Sequence, residues 1–342
     1  MAFIKNTNLK VKGIVCAVPD QKIDIVEYMR TRADADDVAE KCKAVGTKEL
    51  YYTKKNQSAG DLGIACGRKL LERLEWDPMS VDGLVFVSQT PDYKIPPTVC
   101  RIQHELGLSE EVMAFDLDYG CMGFVSGLMT ASQLIQSGLC ERVVLINAEC
   151  QHFNLREDDA EGRAIFGDGA SAVAIEKTDS AEDVIWFQQH MDGSHCEDII
   201  VEGYKALAYE TQGQNSSGSM DGENVTIYML KQLPRFARKM LSRAELTADD
   251  IDTFLVHQAN AYMVRYFTQR MKISLDDTPV NIDKFGNTSG PSIPILICDK
   301  KPELFSPGHK ERVLLLGYGS GFIISGAVLD LGDLVGGDIL YL

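Results

Sequence analysis

Asp116-Leu-Asp-Tyr-Gly-Cys-Met-Gly-Phe-Val-Ser-Gly-Leu128 is the stretch from which the rest of the chain can be read. Before it, Val112-Met-Ala-Phe115 predicts a short apolar strand. After it, Phe124, Leu128, Ala131, Leu134 and Ile135 recur at helical spacing, which predicts a buried helix to about Gly138. Cys121 therefore falls where strand turns into helix, with Gly120 and Gly123 keeping the backbone around it uncrowded. A helix N-terminus presents unpaired N–H groups and a partial positive charge. Such a place stabilises a thiolate and is expected to lower the cysteine's pKa. Cys121 is thus a candidate nucleophile, although by itself it fits a small core residue equally well.

Two later stretches bear on that choice. Asp252-Thr-Phe-Leu-Val-His-Gln-Ala-Asn260 predicts a strand that delivers His257 at its carboxyl end, and Asn281-Ile-Asp-Lys-Phe-Gly-Asn-Thr-Ser-Gly-Pro-Ser292 predicts a polar loop offering Asn287. Cys, His and Asn are side chains that activated-thiol chemistry uses. Taken with Phe166-Gly-Asp-Gly-Ala-Ser-Ala172, Met220-x-Gly222 and Gly317-Tyr-Gly-Ser-Gly-Phe322, they form an ordered set covering nearly the whole chain. By that set the chain resembles the β-ketoacyl-acyl-carrier-protein synthase III family of the thiolase-like superfamily.

The resemblance implies an α/β, thiolase-like duplicated fold, a five-layered αβαβα sandwich that works as a homodimer without cofactor or metal. It implies that Cys121 is acylated by an acyl thioester, delivered on coenzyme A (acyl-CoA) or on a carrier protein (acyl-ACP). His257 and Asn287 would then assist decarboxylative condensation with malonyl-ACP. The N–H groups of Cys121 and Ser320 would form the oxyanion hole. Tyr318 would shape the route to the cysteine, and Ile95, in Lys94-Ile-Pro-Pro97, would reach into the partner's acyl pocket.

The chain also departs from the family. Where the usual initiating enzyme carries a Trp and then Thr-Arg-Thr-Gly-Ile-Arg to grip coenzyme A, this chain has Ala39-Glu-Lys-Cys-Lys-Ala-Val-Gly46 and Thr47-Lys-Glu-Leu50, with Trp76 and Trp186 elsewhere. Lys cannot reproduce stacking or bidentate phosphate contacts. The family's Phe-Lys after Met220-Asp-Gly222 is Thr226-Ile227, and the Arg after His257-Gln-Ala-Asn260 is Tyr262. Lys231, Arg235 and Arg265 are the substitute candidates for docking a carrier protein. A solvated face is the plainer reading of the basic helix that holds Lys231, Arg235, Arg238, Lys239 and Arg243. The expectation is a divergent member serving a specialised lipid or secondary-metabolite pathway. Acyl transfer to an oxygen or nitrogen acceptor, thioester hydrolysis, and a non-catalytic partner subunit stay open as alternatives.

Bulk properties narrow the field. With 342 residues the chain is long enough for two halves, and its 45% hydrophobic and 25% charged composition is that of a globular protein. Similar strand and helix patterns recur in order, which predicts halves at 1–178 and 179–342, with a surface excursion at about 192–222. The net charge of −16 argues against nucleic acid. No apolar run is long enough for a membrane span, and the start of the sequence lacks a signal peptide's pattern. Nine scattered cysteines and no zinc spacing fit a reducing, cytoplasmic setting. Gly317-x-Gly-x-Gly is followed by β-branched residues rather than a helix, which excludes a dinucleotide loop. Asp116-x-Asp-x-Gly has Gly127 where a calcium loop needs its bidentate Glu.

Overall fold

Gly83–Val87 reads GLVFV and is buried at every position. An unbroken apolar run suits a strand covered on both faces, and this one lies parallel to Met113–Leu117 on one side and Arg142–Glu149 on the other. The computed structural model describes residues 2–30, 35–201, 218–304 and 310–342. In it the first sheet runs Val335–Tyr341, Leu9–Val18, Gly169–Lys177, Arg142–Glu149, Gly83–Val87, Met113–Leu117. The second runs Ala2–Thr7, Val184–Met191, Ile323–Asp330, Arg312–Gly319, Thr253–Val256.

The two sheets repeat one another. In each, a short buried strand pairs in parallel with a longer one, which then pairs antiparallel with the next strand and that with another. Helices Ala59–Leu74 and Thr98–Leu106 cover the outer face of the first sheet. Gly222–Arg243 and Ala261–Met271 cover the outer face of the second. Between the sheets lie Gly123–Gln136 and Ser292–Leu304, joined to both by one continuous apolar core. Five layers result, as the resemblance implied.

Ala59–Leu74 and Thr98–Leu106 each turn an apolar face to the first sheet, and the former is closed by a capping box between Ser58 and Asp61. Three strands had no recognisable pattern in the sequence. Val184–Met191 mixes apolar residues with Gln188, which is buried because its side chain donates to the Phe236 carbonyl. Val335–Tyr341 contains Gly336 and Gly337 at positive φ and a bulge, so its alternation is broken. Ala2–Thr7 carries three polar residues in six. The β-branched residues that follow Gly317-x-Gly-x-Gly form a strand from Ile323, after the tight turn Ser320–Phe322.

The terminal strands cross over. Ala2–Thr7 is an edge of the second sheet, and Val335–Tyr341 is an edge of the first. Of the predicted excursion at 192–222, residues 202–217 lie outside the described residues. Its flanks are joined by the pairing of Ile199–Ile200 with Ser219–Met220.

Candidate active site

The Met113–Leu117 strand ends, the chain turns through Gly120–Met122, and the Gly123–Gln136 helix begins with no side chain capping its N-terminus. Cys121 lies in that turn, partly buried. Opposite it, the Arg312–Gly319 strand of the second sheet comes to its end. Two glycines let the backbones meet. A Cβ on Gly319 would stand 2.8 Å from Cys121 Cβ and 3.4 Å from its Sγ, and one on Gly317 would stand 2.8 Å from Met122 Cα. Ser320 follows directly, as the first residue of the Ser320–Phe322 turn.

The thiol is not the low-pKa group that its helix position suggests. Burial pushes it up to about 11; the Ser289 hydroxyl, donating to Sγ over 3.7 Å, pulls the other way, and negative charge on Glu149 adds to the rise. The helix terminus is one influence among several, and desolvation of the charged form outweighs it here. At neutral pH Cys121 rests as the thiol.

His257 stands at the carboxyl end of Thr253–Val256, as predicted, with its backbone N–H donating to Leu316 O at 2.8 Å. Its side chain is 1% exposed, and burial drives its pKa down to about 3, so the imidazole is neutral. Nδ1 lies 2.6 Å from Ser292 Oγ. A serine hydroxyl can donate or accept, so this partner supports either imidazole tautomer. The Tyr318 ring meets His257 edge-on at 5.2 Å, and its hydroxyl donates to Met263 Sδ at 3.8 Å. Burial raises the Tyr318 pKa, and the neighbouring Cys121 raises it further.

Asn287 is 4% exposed and held by backbone bonds on both sides, from its N–H to Ile165 O and from the Gly167 N–H to its own carbonyl. Its Oδ1 accepts the Ser289 N–H at 2.8 Å, which leaves the amide NH2 as the end able to donate elsewhere. Ser289 takes the left-handed conformation, φ +59°, that brings its hydroxyl to Cys121. Cys121, Tyr318, His257 and the Asn287 loop are thus gathered from four segments into one place.

The other predicted residues lie apart. Ile95 is 83% exposed on its loop, whose far end is pinned where the Thr98 and Val99 N–H groups donate to the Asp116 carboxylate. Lys231 and Arg235 are exposed on the outer face of Gly222–Arg243, and Arg265 is exposed on Ala261–Met271.

The sequence reading missed Ser289, Ser292 and Glu149. The two serines lie in the quoted Asn281–Ser292 loop, where nothing distinguishes them from turn formers. Glu149 had a signal, a lone acid closing an apolar strand. It is fully buried, accepts from the Gln89 N–H, Thr90 Oγ1 and Gln151 Nε2, and burial raises its pKa to about 8. Among the described residues no group of three or more His, Cys, Asp or Glu side chains could hold a metal. No described helix is long and apolar enough to cross a membrane.

Comparison with known proteins agrees with this geometry. Residues 115–193 match the family model for 3-oxoacyl-[acyl-carrier-protein (ACP)] synthase III, and residues 241–331 match that of its C-terminal part. A Campylobacter jejuni relative with a 3-oxoacyl-[acyl-carrier-protein] synthase 3 designation is 32% identical, over 97% of this chain and 96% of its own. The β-ketoacyl-[acyl-carrier-protein] synthase III of Koribacter versatilis is 32% identical over 83% and 86%. The crystal structure of a 3-oxoacyl-(acyl-carrier protein) synthase from Burkholderia xenovorans superposes with a TM-score of 0.93 at 30% identity, covering 100% of this chain and 99% of that one.

Proposed function

Because the chain belongs to the 3-oxoacyl-[acyl-carrier-protein] synthase III family, we propose that it is an acyltransferase that condenses an acyl thioester with a malonyl thioester, with Cys121 as nucleophile. The observation that carries this reading is the meeting of Cys121 with the loop of Asn287, through Ser289, beside a neutral His257.

In the first half-reaction Cys121 Sγ attacks the acyl carbonyl. The tetrahedral oxyanion would be received by the N–H groups of Cys121 and Ser320, a reading that the close approach of Gly317 and Gly319 to Cys121 and Met122 supports. The thiol proton goes to solvent and the departing carrier thiolate takes one up, so His257, whose depressed pKa of about 3 makes it a poor base, stays neutral throughout.

In the second half-reaction the malonyl thioester loses carbon dioxide, and negative charge develops on its thioester oxygen. His257 Nε2–H, with Nδ1 accepting from Ser292, and the Asn287 NH2 would donate to that oxygen. The carbanion attacks the acyl carbon and expels Cys121 as thiolate, which takes a proton from solvent to return to the resting thiol, and a β-ketoacyl thioester is released. A neutral imidazole is what this role needs, and burial at 1% exposure supplies it.

The malonyl unit comes as malonyl-ACP in this reading, and the acyl unit is carrier-borne or otherwise specialised, since Ala39–Gly46 lacks the residues that grip coenzyme A. Lys231, Arg235 and Arg265 would contact the acidic carrier. We further propose a cytoplasmic homodimer. Exposed Ile95 and Tyr93 lie on the loop pinned to Met113–Leu117, the edge of the first sheet, so a second copy at that edge would cover them and receive Ile95 in its acyl pocket.

Intact-protein mass after incubation with acyl-coenzyme A and acyl-ACP donors tests the reading. Wild type should gain one acyl group and Cys121→Ala none, and malonyl-ACP should then discharge the acyl group with release of carbon dioxide. Discharge without carbon dioxide would show transfer or hydrolysis instead.

A further inference from the structure

The residues that support the Ser320–Phe322 turn come from three parts of the chain. Phe322 is fully buried and sits at φ +23°, a conformation that a bulky side chain rarely adopts. Something must hold it there. The His195 ring stacks on it at 4.6 Å and 12°, and the Tyr228 ring packs against it at 4.6 Å and 47°. The two clamping rings also touch each other, 4.9 Å between centres.

The backbone is tied as well. The Asp192 N–H donates to Phe322 O at 3.0 Å. The Asp192 carboxylate accepts the Tyr228 hydroxyl at 3.2 Å and the Ser194 hydroxyl at 2.6 Å. His195 is fixed in turn by Asp198, whose Oδ2 lies 2.9 Å from its Nδ1. Asp198 O accepts the N–H of Asp221, the cap of the Gly222–Arg243 helix. Tyr228 stands in the second turn of that helix. A closed circuit therefore runs from the helix start, through the 192–198 segment and the two rings, to the turn that bears Ser320.

We propose that His195 and Tyr228 are positioning residues for the thioester reaction, clamping Phe322 so that the Ser320 N–H is held where the oxyanion forms. The inference rests on the acyl-transfer reading above and deepens it. An oxyanion donor acts only if it is oriented before charge develops, and a loose turn loses that advantage. The same helix bears Lys231 and Arg235 on its outer face, so the clamp joins the proposed docking helix to the oxyanion hole.

Two reactions of Cys121 separate this role from a general structural one. Iodoacetamide alkylates the thiolate without forming an oxyanion, whereas acylation by a thioester forms one. Acetyl-, hexanoyl- and decanoyl-N-acetylcysteamine thioesters serve as donors, followed by intact-protein mass over time. In His195→Ala the acylation rate should fall tenfold or more while alkylation stays within twofold of wild type. His195→Phe, which keeps a stacking ring, should recover most of the loss. Tyr228→Phe, which removes the bond to Asp192 and keeps the ring, should give an intermediate loss.

Acylation by His195→Ala at the wild-type rate, or equal slowing of both reactions, overturns the clamp. Failure of His195→Phe to recover does so too. Wild type that is alkylated but takes no acyl group from any thioester overturns the reaction assignment and the clamp with it.

Discussion

Replacing Gly319 by alanine tests how tightly the two halves of the protein must meet at the thiol. The backbone there is extended, φ 173°, so alanine meets no conformational penalty and the effect is purely steric. Its Cβ would lie 2.8 Å from Cys121 Cβ, against the 3.4–4 Å of ordinary contact, so the strand end and the Cys121 turn must part by about 1 Å. Cys121 Cβ is fixed by its own backbone, so this closest contact cannot be relieved by a rotating side-chain end. A misplacement of ~1 Å in a reacting geometry costs about 100-fold in rate, which corresponds to roughly 2.7 kcal/mol of barrier. Overpacking of this kind also costs about 1–3 kcal/mol of stability. Acylation of Cys121 by an N-acetylcysteamine thioester should therefore fall about 100-fold in Gly319→Ala, read as kcat/KM, with a modest drop in Tm. Gly138→Ala, beyond the far end of the Gly123–Gln136 helix, is the contrast: its Cβ meets no atom within 4 Å, but φ is +79°. It should lose stability with a much smaller change in acylation. If Gly319→Ala acylates within threefold of wild type at unchanged Tm, the close approach of the two backbones is not what builds the site.

Three further outcomes follow from the same geometry. Asn287→Ala should still accept an acyl group but release carbon dioxide from malonyl-ACP at least 100-fold more slowly; equal loss of both half-reactions would refute the division of roles. Because burial holds the Cys121 thiol near 11, its alkylation by iodoacetamide should rise about tenfold per pH unit from 7 to 10, and a plateau near pH 8 would show a thiolate poised by the helix instead. His257, neutral with its pKa depressed to about 3, binds its proton more readily in the unfolded chain. Its contribution to stability is complete above the unfolded value of ~6.5 and is lost, at roughly 1.4 kcal/mol per pH unit, as pH falls from there toward 3. The Tm of wild type should accordingly drop more steeply between pH 6.5 and 5 than that of His257→Gln, and parallel slopes would contradict it.

The parts of the site that could be read from sequence are those fixed by local structure. Cys121 follows a strand and precedes a helix, His257 closes a strand, and Asn287 sits in a loop with a distinctive run of residues, so each was placed by its neighbours. The thiol's pKa was misread because it depends on burial of the side chain, to which backbone from residues 317–320 contributes. Ser289 and Ser292 gain their roles from a positive φ and from a long-range approach to Cys121 and His257. The Phe322 clamp draws on residues 192–198 and 228, which share no pattern. In the fold, runs such as Gly83–Val87 were legible because burial on both faces demands an apolar run. Val335–Tyr341 was not, because two glycines and a bulge erase the strand pattern.

The exchange of terminal strands has a consequence for how such a chain is made. Leu9–Val18 is flanked by Gly169–Lys177 and Val335–Tyr341, and Ala2–Thr7 finds its neighbour only in Val184–Met191. Emerging from a ribosome at about 5–20 residues per second, the first strands wait on the order of 10 s or more for any partner, and the first sheet stays open while the strands of the second are made. During that interval an apolar edge is exposed to other nascent chains. Folding by independent completion of one half and then the other is closed to this topology. A ribosome stalled shortly before Val335 would hold a protein whose nucleophile is already translated but whose first sheet still lacks its edge, so chaperone demand should persist until Val335–Tyr341 has emerged.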